Sequence, residues 1–229
     1  MLNKAGFATL IALAALLIFL SQGIADPTTP PPVQPDTSKN LLAPPAALVI
    51  DVAAAMKDRV LGQENAPVTI IEYASMTCSH CAAFNKDVLP EIKKRLIDTG
   101  KAKLIYRDFP LDNIALRASM MTRCAPADKY FNLVEVVFNN QERWAHAQDP
   151  IEGLARLGIL AGVDADLFNA CIKNDALETA ILDGLRDAQT KYQIKSTPTF
   201  VLNNGAEIIS GGQSADKFEE AVHKLTKGQ

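Results

Sequence analysis

Apolar and polar positions follow two rhythms along this chain, and the switches between them outline its elements. A short unbroken run, Val68-Thr69-Ile70-Ile71-Glu72-Tyr73, is rich in β-branched residues and predicts a buried strand. Downstream, Val88, Leu89, Ile92 and Leu96 recur at spacings of three and four, which predicts a helix kinked by Pro90 and stopped at Thr99-Gly100. Lys103 to Arg107 reads as a second strand, ended by Asp108-Phe109-Pro110. Strand, helix, strand makes a βαβ unit with a parallel pair and a right-handed crossover. Ahead of it, Leu48 to Val60 holds a short strand or helix, followed by a loop from Gly62 to Pro67.

From Asn113 to Tyr192 the period is helical almost throughout, with apolar faces such as Phe131, Val134, Val137 and Phe138. No Gly-rich phosphate loop opens any of these helices, so their apolar faces read as core rather than as a cofactor box. Trp144 and His146 are expected in a solvated connection. The chain closes with Thr199 to Leu202, a turn signal at Asn203-Asn204-Gly205, a returning strand at Glu207 to Ser210, and a helix from Ala215 to Leu225. Pro198 cannot donate to a ladder and belongs at the entry or edge of its strand.

The first residues follow a different logic. Lys4, the apolar run Phe7 to Leu20 and the small residues of Gly23-Ile24-Ala25 predict an export signal over residues 1–25, with an uncleaved anchor as the alternative. Residues 26–47, rich in proline, predict an extended tether, with a Pro-rich partner motif as the alternative. Export places the remainder in an oxidising compartment, expected to be the periplasm. The composition, 48% hydrophobic and 21% charged over 229 residues, is that of a globular protein, and a net charge of −3 gives no case for nucleic-acid binding.

Chemistry concentrates at Cys78-Ser79-His80-Cys81, where the first strand gives way to the first helix. With Thr77 as N-cap, Cys78 falls on the first turn, where unpaired N–H groups and the helix dipole favour a thiolate. His80 can add a donor or a positive charge. Cys81, one turn on, can close a ring with Cys78, so that Cys78 attacks and is attacked while Cys81 resolves the mixed disulfide. A zinc half-site lacks a second ligand pair, and a purely structural bond across so small a loop constrains the unfolded chain weakly. No metal is therefore expected. Cys124 and Cys171 form an even, well-separated pair that suggests a structural disulfide between two helices, against the alternative of two buried free thiols.

Taken together, these features resemble the thioredoxin-fold thiol–disulfide oxidoreductases, most closely the DsbA-like branch. The likeness runs from about Val60 to Lys224 and is carried by Val68–Tyr73, Cys78-Ser79-His80-Cys81, Tyr106-Arg107-Asp108-Phe109-Pro110, Thr197-Pro198-Thr199-Phe200-Val201 and Gly211-Gly212. It implies an α/β thioredoxin fold, a central mixed sheet flanked by helices, over residues 48–229, interrupted by a helical insertion at 113–192. It implies that Pro198 is a cis-proline against the active-site cysteines and that Thr197 pairs with a client's extended backbone, with His80 also at the client-binding surface. Glu72 is implied as a buried acid that handles the Cys81 proton, with Arg107 as an ionic partner.

The activity implied is that of a dithiol oxidase with no cofactor, acting as a monomer on cysteine-containing client proteins and reoxidised by a membrane quinone-linked partner. Ser79 stands where the family often has proline between the cysteines, which bears on how oxidising the pair is. Thr197 is shared with isomerase and reductase relatives, which stand as alternatives, as does a Cu(I)-binding chaperone using Cys78, Cys81 and His80.

Overall fold

The computed structural model describes residues 48–227, so the expected export signal (1–25) and tether (26–47) lie outside the described residues. The sheet is built on β2 (Val68–Ala74). It runs parallel to β3 (Ala102–Asp108) and antiparallel to β4 (Thr199–Leu202). The two-residue β1 (Val60–Leu61) pairs with β3, and β5 (Glu207–Ser210) pairs with β4, giving the mixed order β1-β3-β2-β4-β5. A short helix, α1 (Val52–Met56), precedes β1, so the segment before the loop holds a helix and a strand.

Both faces of β2 are covered, which is why its sequence is an apolar run rather than an alternation. One face carries Val68 and Ile70, packed against Phe84, Ile92 and Leu96 and against Phe218 and Val222 of α10 (Ala215–Lys227). The opposite face carries Ile71 and Tyr73, packed against Ala188 and Ile194.

The helix after β2 does not simply kink at Pro90. It runs as α2 (Ser79–Ala83), a π-helical segment (Phe84–Val88), α3 (Leu89–Ile92) and a second π-helical segment (Lys93–Ile97). Proline has no N–H and its ring crowds the carbonyl four residues back, so the turn ahead of it widens and Leu89 N–H reaches Phe84 O instead. The distortion is spread along the helix.

Six helices lie between β3 and β4: α4 (Asn113–Arg123), α5 (Tyr130–Asn139), α6 (Gln141–Ala145), α7 (Pro150–Leu160), α8 (Ala165–Ile172) and α9 (Asp175–Tyr192). Four of them start on a side-chain cap. Asp112, Asp149, Asp164 and Asn174 accept the N–H groups of Ala115, Glu152, Leu167 and Leu177, each cap contributing about 1 kcal/mol.

Trp144 corrects the sequence reading. It is buried, with its indole N–H donating to Val137 O at 2.8 Å. A β-carbon added at Gly153 would stand only 3.0 Å from Trp144 Cβ, so the glycine is what lets α7 press on this tryptophan. His146 is exposed as expected. The Cys124–Cys171 disulfide is present, with Cα atoms 6.4 Å apart, and joins the end of α4 to α8. Closing a loop with a sequence separation of 47 stabilises by about 4 kcal/mol in the chain-entropy model.

A buried ion pair ties these helices to the sheet. Arg123 Nε lies 2.6 Å from Asp108 Oδ2, with side-chain exposures of 3% and 2%, and the guanidinium also donates to Tyr106 O at 3.3 Å. Removing one partner strands the other charge in the interior. Arg123→Met is expected to cost about 3–5 kcal/mol in urea denaturation, and adding Asp108→Leu is expected to recover most of that loss.

Candidate active site

The chain between β2 and α2 is held from three directions. Cys78 N–H donates to Ser75 O at 3.1 Å, closing a tight turn. Ser75 Oγ accepts from Leu111 N–H at 3.3 Å, and the Thr77 hydroxyl donates to Asp112 Oδ2 at 2.6 Å, so the β3–α4 connection grips the turn from one side. From another, Gln141 Nε2 donates to the carbonyls of Met76 at 2.8 Å and Cys78 at 3.1 Å. From the third, the segment before β4 brings Thr197 O to 3.4 Å from Cys78 Sγ. The Thr197–Pro198 peptide bond is cis, and Pro198 O is held by Gly211 N–H at 2.8 Å.

The N-cap is Cys78 itself rather than Thr77. Thr77's hydroxyl is committed to Asp112, while the Cys78 sulfur accepts Cys81 N–H at 3.3 Å. A sulfur in the capping position faces the unpaired amides directly, which a first-turn position would not do.

Cys78 is partly exposed and Cys81 fully buried, both as free thiols. The Cys78 thiol is pushed down to about 5, chiefly by the hydrogen bond from Cys81. Burial opposes this, while Thr197 and the backbone N–H groups of Cys81 and His80 add to it. The contact of the Cys78 S–H with Thr197 O belongs to the protonated form alone, and the donors converging on the sulfur outweigh it. Among the described residues, the Thr197 hydroxyl is buried without a hydrogen-bond partner. Cys81 is driven the other way, far above an ordinary thiol, by burial first and then by its hydrogen bond to Cys78. One sulfur is thus held as an anion and its neighbour as a thiol.

His80 contributes differently from the expectation. Its side chain is exposed and makes no hydrogen bond to Cys78, and its effect on the sulfur comes through its backbone N–H. Glu72 is fully buried on the same sheet face as Tyr106 and Phe200. Burial pushes its carboxyl up to about 8, the hydrogen bond from Asn85 opposes this, and Cys78 raises it further. Arg107 is not its partner. Side chains alternate along β3, so Arg107 sits beside Tyr73 on the opposite face and pairs with Asp58 at 2.7 Å.

Asn85 was not singled out from the sequence, yet its amide links Glu72 Oε1 and Cys81 O, each at 3.2 Å. Its position four residues after Cys81, one helical turn on, was the available signal. Gln141 carried none, being more than sixty residues from the turn it holds. Among the described residues, no three His, Cys, Asp or Glu side chains come together as a metal site.

A family model described as Thioredoxin matches residues 54–224. A Rickettsia conorii protein, provisionally named a protein-disulfide oxidoreductase, is 30% identical over 173 residues, covering 75% of this chain and 61% of that protein. The chain therefore spans about three fifths of the length of that curated relative. Disulfide bond formation protein D of Bacillus subtilis is 26% identical over 181 residues, 74% of this chain and 78% of that one. Among solved structures, alpha-DsbA1 of Wolbachia pipientis superposes with a TM-score of 0.67 at 34% identity, covering 74% of this chain and 91% of the other.

Two outcomes follow from the geometry. In the reduced protein, thiolate absorbance is expected to rise with a midpoint near about pH 5 and to be lost in Cys78→Ser, where an ordinary thiol would titrate near 9.0. Gln141→Leu leaves Met76 O without its donor and is expected to cost roughly 1–3 kcal/mol in chemical denaturation.

Proposed function

The chain belongs to the thioredoxin family, in its DsbA-like branch, and from that premise we propose that it oxidises the dithiols of exported client proteins. The observation that carries this reading is the opposed ionisation of the two sulfurs, with Cys78 stabilised as thiolate in front of a buried, protonated Cys81. A thiolate stabilised in the reduced state is a good leaving group and makes the disulfide form a strong oxidant.

The cycle starts from a Cys78–Cys81 disulfide. A client thiolate attacks Cys78 Sγ, the bond to Cys81 breaks, and Cys81 leaves and takes a proton. Glu72, its carboxyl raised to about 8 and held by the Asn85 amide, keeps a proton near neutral pH and is the proton source for Cys81. A second client thiolate then attacks the client sulfur of the mixed disulfide and displaces Cys78 as thiolate. Two electrons pass from client to protein; both client protons go to solvent, Cys81 keeps the proton given by Glu72, and Glu72 takes one back from solvent. In this reading Thr197 offers its backbone to the client's extended chain, Pro198 shapes that edge, and the exposed His80 lies at the docking surface. A membrane quinone-linked partner reoxidises the pair, and the chain works as a monomer in the periplasm. Among the described residues, no helix is long and apolar enough to cross a membrane.

Sign and pH belong together here. Cys78 has a lowered folded-state value, so the stability it lends the reduced protein is fully present above the ordinary 9.0 and fades as pH falls through about 5. The disulfide form has no such term, so the reduced state gains on the oxidised one across that window. Equilibration with glutathione is expected to place the couple on the oxidising side of about −200 mV, and Cys81→Ala is expected to accumulate mixed disulfides with clients. A potential near that of thioredoxin, about −270 mV, would replace the oxidase reading with a reductase.

A further inference from the structure

Behind the active-site helix lies a cavity of about 240 Å³ that the mechanism does not use. Its mouth is formed by exposed residues of the distorted helix and α5, among them Pro90, Lys93, Asn132 and Glu135. The walls are largely apolar, with Leu89, Leu104 and Phe131. Its inner end is polar: Glu72 and Asn85 line it. Asn85 satisfies Glu72 Oε1, but Glu72 Oε2 is buried without any hydrogen-bond partner. A buried oxygen left in this state costs on the order of 1–3 kcal/mol, and a donor brought through the cavity would relieve that cost.

We propose that this cavity binds a small planar cation of the amidinium or guanidinium class, its apolar body against Leu89, Leu104 and Phe131 and its N–H groups donating to Glu72. The volume is below that of drug-sized pockets, so the ligand is fragment-sized. Charge favours the choice. Lys93 at the mouth is already paired with Asp98 at 2.6 Å, and among the described residues Glu135 at the rim has no ion-pair partner. A planar fork of N–H donors suits a carboxylate better than a single ammonium does.

The groups that face Glu72 are Cys78 from the active-site turn, Asn85 from the π-helical segment, Tyr106 from β3 and Tyr130 from α5. None of them supplies a positive charge. The cation therefore pairs with an ionised Glu72, and its affinity follows that ionisation, rising as pH climbs toward about 8. The functional consequence rests on the oxidase reading: a Glu72 held as an ion pair is a weaker base and a poorer proton donor for Cys81, so the occupied cavity slows exchange from behind.

The test is calorimetric titration of the full-length reduced protein with benzamidine, alongside the neutral shape-match benzamide. Benzamidine is expected to bind at least roughly tenfold tighter at about pH 8 than at about pH 6, while benzamide shows no such gain. Glu72→Gln is expected to remove the pH dependence, and Asn132→Trp, at the exposed rim, to block entry. Equal affinity in Glu72→Gln, a benzamide that matches benzamidine, unimpaired binding to Asn132→Trp, or no saturable binding in the tens of millimolar would each overturn the proposal. Binding is read without turnover, so its failure leaves the oxidase reading standing, and a failed Cys78 titration leaves the cavity result standing.

Discussion

The hydrogen bonds that converge on one sulfur set the terms for the rest of this structure. Cys78 Sγ receives the Cys81 N–H, the neighbouring Cys81 side chain lowers its value further, and its position as helix N-cap brings the backbone N–H of His80 to bear as well. Each donor alone is a weak interaction with sulfur. Together they hold a negative charge that the partly buried site would otherwise reject, since burial on its own raises a thiol's value. The reduced state is stabilised by the same groups, which is what gives a disulfide between these cysteines its tendency to accept electrons.

Such convergence needs a backbone that does not drift, and the scaffold explains the rigidity. The turn that carries Cys78 is gripped by the β3–α4 connection through Ser75, Thr77 and Asp112, and by α6 through the two hydrogen bonds of Gln141. The segment carrying Thr197 is fixed through Pro198 O to Gly211. The helical region is itself tied down by the Arg123–Asp108 pair at the end of β3 and by the Cys124–Cys171 bond. The helices thus brace the catalytic turn as well as filling space beside the sheet.

Beneath the sulfurs the fold accepts an energetic cost. Glu72 interrupts the buried apolar run of β2, accepts a hydrogen bond from Asn85 and, among the described residues, has no partner for its second oxygen. A carboxyl there is held largely neutral near pH 7, within reach of the cysteine environment through Asn85. The widened helix forced by Pro90 borders the same region, so the irregular backbone and the uneasy acid occur together.

What the sequence determined by itself was local. The β-branched run of β2, the period of the helices, the turn at Asn203 to Gly205 and the C-x-x-C at a strand–helix junction are all near-neighbour patterns, and each depends on interactions within a few residues. The site was legible to the same extent: Cys78 and Cys81 from their spacing, and Glu72, Thr197 and Pro198 from resemblance. Only the tertiary structure decided which residue caps the helix, that Arg107 faces Asp58, that Trp144 is core, and that Gln141 and Asn85 hold the turn and the acid. Those outcomes depend on strand register, on which face a side chain takes, and on contacts between segments more than sixty residues apart, where sequence spacing carries no distance.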